Sequence, residues 1–148
     1  LSAAASLLGA WDRSIPAEDK STWRDPEVAN AYVAAAMASD STSNSRTPAS
    51  FRAPSGAMED SFYLATGRQL WDASFITCPT LVIRGEADFW SRPADLEMLG
   101  RHLVHARARL VTIPDATHFV HLDRPERGRA RLLEELQAFL AELATQPR

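Results

Sequence analysis

Two stretches decide the fold: Pro79-Thr80-Leu81-Val82-Ile83-Arg84-Gly85-Glu86-Ala87-Asp88 and Arg109-Leu110-Val111-Thr112-Ile113-Pro114-Asp115-Ala116-Thr117-His118. Thr80–Ile83 and Arg109–Ile113 are short β-branched and aliphatic runs. One is bounded by Pro79 and Gly85 and the other is stopped by Pro114, which is the signature of buried strands. Between them, from Pro93 to Val104, Leu96, Leu99 and Leu103 recur at helical spacing. After them a terminal helix is expected from Pro125 to about Leu143, with Leu132, Leu133, Leu136, Phe139 and Leu140 apolar. Strand, helix, strand, helix predicts an α/β fold with a parallel sheet. Such sheets need both faces covered, so these strands read as a few-stranded edge of a larger sheet.

The preceding residues, 1–74, differ in character. They are rich in Ala and Ser and read as helices and loops, with no convincing strand. Asp25-Pro26-Glu27 is a helix start: a capping carboxylate, a proline suited to the first turn, and an acid at the positive end. That helix runs through Val28, Tyr32, Val33, Ala36 and Met37. Ser39 to Gly56 reads as loop, Ala57 to Ala65 as a helix ended by Gly67, and Arg68 to Ser74 as a further helical piece. Phe62, Tyr63 and Trp71 are read as core residues, and Cys78, followed by Pro79 and an apolar run, as a small buried residue.

Composition narrows the function. The net charge of −3 gives no electrostatic reason to expect nucleic acid or an anionic membrane. The basic runs Arg101–Arg109 and Arg124–Arg131 alternate with apolar and acidic residues and read as solvated helix faces. No run approaches the roughly 18 apolar residues of a membrane span, and no positive region precedes the apolar start, so a cytoplasmic location is expected. The chain opens on Leu1, which implies either processing or a start inside a longer protein. The single cysteine excludes an internal disulfide. His102, His105, His118 and His121 lack the spacing and carboxylate partner of a metal site, so neither a metal nor a cofactor is expected.

In open α/β sheets the functional groups gather beyond the carboxyl ends of the strands. Asp88 follows the first strand and His118 the second, so adjacent parallel strands bring them to one rim. There a carboxylate can accept the Nδ1 proton of the imidazole, fixing its tautomer and stabilising the imidazolium. Pro79 to Asp88, and Ile113-Pro114-Asp115-Ala116-Thr117-His118-Phe119-Val120-His121-Leu122-Asp123-Arg124-Pro125-Glu126, resemble the acid loop and the histidine loop of the α/β-hydrolase superfamily. The order, acid then histidine, is that family's. The resemblance covers about residues 76–142 and implies that Asp88 is the triad acid and His118 the general base. It implies that residues 75–148 are the C-terminal portion of the hydrolase core and that residues 1–74 are a helical cap or lid.

Phe89 and Trp90 then line the pocket mouth or pack under the cap, and with Phe119 they are the candidate substrate-binding residues. One part of the pattern is missing: no pair of glycines frames a Gly-x-Ser-x-Gly elbow, and neither Ser91 nor Ser55 follows a strand in the required turn. The expectation is a fragment of a serine-type hydrolase of small-molecule esters, lactones, thioesters or amides, inactive alone. Two alternatives stand beside it. With an Asp nucleophile the fold serves haloalkane or epoxide hydrolysis, and a related arrangement serves C–C bond hydrolysis. A non-catalytic module is the third reading, in which an uncovered sheet edge pairs with an N-terminal fragment or with a second copy.

Overall fold

The computed structural model describes residues 2–145. Its elements run β1 (Ser2–Ala3), α1 (Gly9–Ser14), α2 (Pro26–Ala38), β2 (Ser50–Phe51), α3 (Gly56–Ala65), β3 (Thr80–Gly85), α4 (Pro93–His102), β4 (Ala108–Ile113) and α5 (Arg129–Ala144). The chain is therefore mixed α/β, with five α-helices and a small parallel sheet among the described residues.

β3 and β4 pair in parallel, in a register running from Thr80 opposite Ala108 to Gly85 opposite Ile113. Both strands extend slightly beyond the expected runs and end level with each other. The loops that follow therefore leave from one edge of the sheet. α4 is the crossover between them, starting at Pro93, with the Asp95 carboxylate accepting from Arg92 N–H at 2.8 Å. Behind the sheet, Glu135 of α5 is buried between the guanidinium groups of Arg109 on β4 and Arg131. The other side of α5 leaves Leu133, Leu136 and Leu140 exposed, and Leu110 of β4 is also exposed.

The core joins the two halves of the chain. Trp11 of α1, Ile15 just after it, Trp23, Ala29 of α2 and Phe119 form one buried cluster, with Val28, Tyr32 and Leu122 packed against it. Trp11 stacks on Phe119 with centroids 5.2 Å apart, and Tyr32 meets both rings edge-on. α2 starts as the sequence suggests, the Asp25 carboxylate accepting from Glu27 N–H at 2.8 Å.

Several expectations need correction. The first half does contain strands: β1 and β2 form a two-residue antiparallel pair, too short and too distant in sequence to leave a periodic pattern. The Ser39–Gly56 loop carries β2 and a 3₁₀ turn at Ser43–Ser45. This loop is tied down by Asp40, which accepts from Thr42 and Arg52 and pairs with Arg46. Arg68 to Asp72 is not helical, against the expected helical piece from Arg68 to Ser74. Gly67 reverses the chain at φ 83°, and Asp72 caps a separate 3₁₀ turn, Ala73–Phe75, by accepting from Ser74 N–H at 2.9 Å. α4 ends at His102, two residues short of the expected Val104.

The terminal helix is interrupted: Pro125–Arg127 forms a 3₁₀ turn, and α5 begins only after Gly128, at φ 112°. Gly128 is required there on two counts, because a Cβ would lie 2.6 Å from the Ala116 side chain. Cys78 is exposed, and so are Phe62 and Trp71, while Tyr63 is half-buried. α3, which carries Phe62 and Tyr63, has no fully buried residue.

Candidate active site

The turn after β3 is shaped by Gly85. A Cβ at this position would come within 2.5 Å of the carbonyl oxygens of both Ala116 and Thr117. Only glycine lets the acid loop and the histidine loop lie backbone to backbone. Two hydrogen bonds close that contact: Glu86 N–H donates to the Ile113 carbonyl and Ala87 N–H to the Ala116 carbonyl, both at 2.9 Å. Arg84, the buried residue before the glycine, turns its guanidinium back onto the loop. It donates to the carbonyls of Ser91, at 2.7 and 2.9 Å, and of Asp88, at 3.2 Å.

Within this frame Asp88 accepts from Trp90 N–H at 2.9 Å through Oδ1 and from the Ser91 hydroxyl at 2.6 Å through Oδ2. His118 Nδ1 lies 3.1 and 3.0 Å from the same two oxygens. Burial disfavours the charge on Asp88, but the bonds from Ser91, His118 and Trp90 outweigh it and hold the carboxyl below the usual carboxylate range. An ionised carboxylate makes Nδ1 the donor. In the neutral imidazole Nε2 is then the acceptor, and it has no protein partner among the described residues. The side chain of Asp88 is 9% exposed and that of His118 is 41% exposed. The acid is therefore shielded, and the imidazole it orients faces solvent.

The histidine loop is held from the other side. Asp123, fully buried, accepts from Thr117 N–H at 2.9 Å, from the Thr117 hydroxyl at 2.8 Å and from Trp11 Nε1–H at 2.7 Å. The Thr117 hydroxyl in turn accepts from Phe119 N–H at 3.0 Å. Trp23 Nε1–H donates to the Asp115 carbonyl, Arg124 N–H donates to the Trp23 carbonyl, and the Arg127 guanidinium lies 3.9 Å above the Trp23 ring. Residues 11–24 are thus fastened to the loop that carries His118. Asp115, at φ 60°, makes the left-handed turn that Asp tolerates better than most residues.

The sequence-predicted residues separate here. Asp88 and His118 come together. Trp90 meets the imidazole edge-on at 4.5 Å and packs on Phe89, which carries the Arg13 guanidinium above its ring. Both aromatics remain exposed at the rim. Phe119 is not a candidate substrate contact. It is 8% exposed and stacked on Trp11, because the residue after His118 turns into the core. The Ser91 hydroxyl is bonded to the acid and not to the imidazole, and Ser55 lies exposed before α3. His121 is exposed near Phe119.

Sequence reasoning missed Ser91 as a partner of the acid; the Asx-turn that Asp88 makes with Trp90 N–H, two residues on, brings Ser91 within its reach. It also missed Arg84 and Asp123, which act through contacts that no local pattern announces. Among the described residues no group of three His, Cys, Asp or Glu side chains is placed to hold a metal ion, and no helix is long and apolar enough to cross a membrane. Compared with protein-family models, curated proteins and solved structures, the chain matches none.

Proposed function

We propose that this chain supplies the acid and the general base of a serine-type α/β-hydrolase acting on a small-molecule ester, lactone, thioester or amide. The observation that carries the reading is the 3.0 Å contact between the Asp88 carboxylate and His118 Nδ1, beyond the carboxyl ends of two parallel strands. Asp88 holds the tautomer in which Nε2 is the acceptor. His118 then takes the proton of an attacking hydroxyl at Nε2 and returns it to the leaving group. Asp88 stabilises the imidazolium between these two transfers.

The attacking serine and the amides of the oxyanion hole are, on this reading, contributed from outside the 148 residues, whose glycines frame no nucleophile elbow. Residues 1–74 act as the cap, and their attachment to the histidine loop through Trp11 and Trp23 supports that role. The exposed Leu110, Leu133, Leu136 and Leu140 support the same view, because a larger sheet and its helices need an apolar surface to pack on.

The test is hydrolysis of p-nitrophenyl esters, with fluorophosphonate labelling, by the chain alone and by the product of its gene read upstream of Leu1. The chain alone is expected to be inactive. The longer product is expected to turn over and to label, with His118→Ala lowering kcat by about 10⁴-fold or more. Serine-reagent-sensitive turnover by the chain alone, a gene with no elbow upstream, or full activity in His118→Ala overturns the reading. An Asp at the elbow centre moves the reaction to alkyl-ester chemistry.

A further inference from the structure

Trp90 meets the imidazole in a T-shaped contact and also lines an open groove of about 720 Å³. One wall of this groove is built by residues 64–73 and the other by α4. Leu64, Trp71, Met98 and Leu99 give it an apolar lining, and three of these are about half exposed to solvent. That volume falls within the range of small-molecule sites, which are apolar with a few placed polar groups. Large apolar side chains facing water in one concave place mark a binding surface more strongly than the same residues scattered singly.

The charges around the groove identify its occupant. Arg92 is held by Asp95 at 2.8 Å, so those two charges cancel. His102 lies near Asp72, whose carboxyl is held below its usual range by Ser74 and, to a lesser degree, by that histidine. Arg68 is different. It sits 4.7 Å above the Tyr63 ring, and among the described residues no carboxylate pairs with it. The groove therefore has an apolar body and one spare guanidinium, already fixed on an aromatic face. A guanidinium matches a carboxylate through paired N–H donors. A phosphate dianion fits less well, because among the described residues its second negative charge has no further unpaired cation in the groove beside Arg68.

We propose that this groove binds an elongated apolar chain, aliphatic or aryl, that carries a single carboxylate received by Arg68. Calling that molecule the arm of a substrate rests on the hydrolase reading; the binding itself does not. The groove is lined by Trp90, whose ring lies 4.5 Å from that of His118.

Titration of the chain with decanoate, decanol and decyl phosphate below their micelle concentrations tests the proposal. Trp71 and Trp90 report binding through fluorescence, whereas Trp11 and Trp23 are buried. Decanoate is expected to bind saturably and about fivefold more tightly than decanol, the worth of a partly exposed ion pair, with decyl phosphate weaker than decanoate. Arg68→Gln, at an exposed position, is expected to abolish the preference for decanoate and to leave decanol binding unchanged. Met98→Gln, which removes apolar surface without adding charge, is expected to weaken all three, with circular dichroism confirming that both variants fold. Equal affinity for decanoate and decanol, an unchanged preference in Arg68→Gln, or no saturable binding overturns the proposal. The unmutated longer product separates the two readings: saturable binding with carboxylate preference but no hydrolysis sinks only the catalytic one. Hydrolysis without carboxylate preference sinks only this one.

Discussion

Asp123→Ala is the perturbation that tests how the histidine loop is held. The carboxylate is fully buried and receives three donors, Trp11 Nε1–H, Thr117 N–H and the Thr117 hydroxyl, at 2.7, 2.9 and 2.8 Å. Hydrogen bonds to a charged group contribute about 1.5–3 kcal/mol each, and a buried donor left without a partner costs about 1–3 kcal/mol. Against this, the variant no longer buries a charge, whose effective desolvation penalty is several kcal/mol. The net loss expected is about 3–4 kcal/mol, a large part of the 5–15 kcal/mol that holds a typical domain folded.

Asp123→Asn retains one acceptor oxygen for Trp11 but turns an amide toward Thr117 N–H, and is expected to cost about 1–3 kcal/mol. Urea unfolding, followed by tryptophan fluorescence and circular dichroism, measures both. Trp11→Phe removes the single donor from the other half of the chain. The Asp123→Ala and Trp11→Phe cycle is therefore expected to show a coupling of about 1.5–3 kcal/mol. A loss below about 1 kcal/mol for Asp123→Ala, or additivity of the two changes within about 0.5 kcal/mol, refutes the reasoning.

Two further outcomes follow from the site. Gly85→Ala places a methyl group 2.5 Å from two backbone oxygens that cannot swing aside, and is expected to cost about 2–3 kcal/mol in thermal unfolding. It is also expected to remove the hydrogen-bonded Nδ1 proton signal of His118 from the NMR spectrum, whereas Gly56→Ala, whose added Cβ meets nothing within 4 Å, is expected to fold with unchanged or slightly raised stability. Acid is expected to destabilise the chain in a definite direction. For Asp88, burial opposes the charge but the bonds from Ser91, His118 and Trp90 prevail, and for Asp40 the Thr42 hydroxyl is the first cause, so both carboxyls are lower in the folded than in the unfolded state. The stability they add is complete above the unfolded carboxylate value, about pH 4, and is lost as pH falls through the depressed folded values. Asp40→Asn should flatten the acid limb of a stability–pH curve measured by urea unfolding, and an unchanged limb contradicts that assignment.

β3 and β4 were legible because each is an aliphatic, β-branched run bounded by proline or glycine, and the helix between them implied parallel pairing. Asp25 and Gly67 were legible for a similar reason, since capping and left-handed turns depend on the residue itself. What stayed hidden was set by distant partners. The ring of Phe119 turns inward because Trp11 offers a face to stack on. Trp71 and Phe62 remain exposed because no described element covers them. Arg68–Ser74 has helical composition, yet Asp72 takes an amide that a helix would have bonded within its own ladder.

The two carboxylates flanking His118 show why residue type alone could not assign the roles. Glu86, Asp88, Asp115 and Asp123 all lie within the two loops, and each is an acid close enough in sequence to be a partner. Glu86 accepts only the Asp115 backbone N–H, and Asp115 lies 3.9 Å from Arg127 at the surface. Asp123 receives only an indole, an amide and a hydroxyl, none of which exchanges a proton near neutral pH, so its work is to fix the loop. Asp88 alone among them receives a titratable ring, at a rim where the other nitrogen of that ring is open. The buried carboxylate orients the backbone of the loop, and the shielded one orients its imidazole. The same functional group thus holds a backbone or an imidazole according to the donors that reach it.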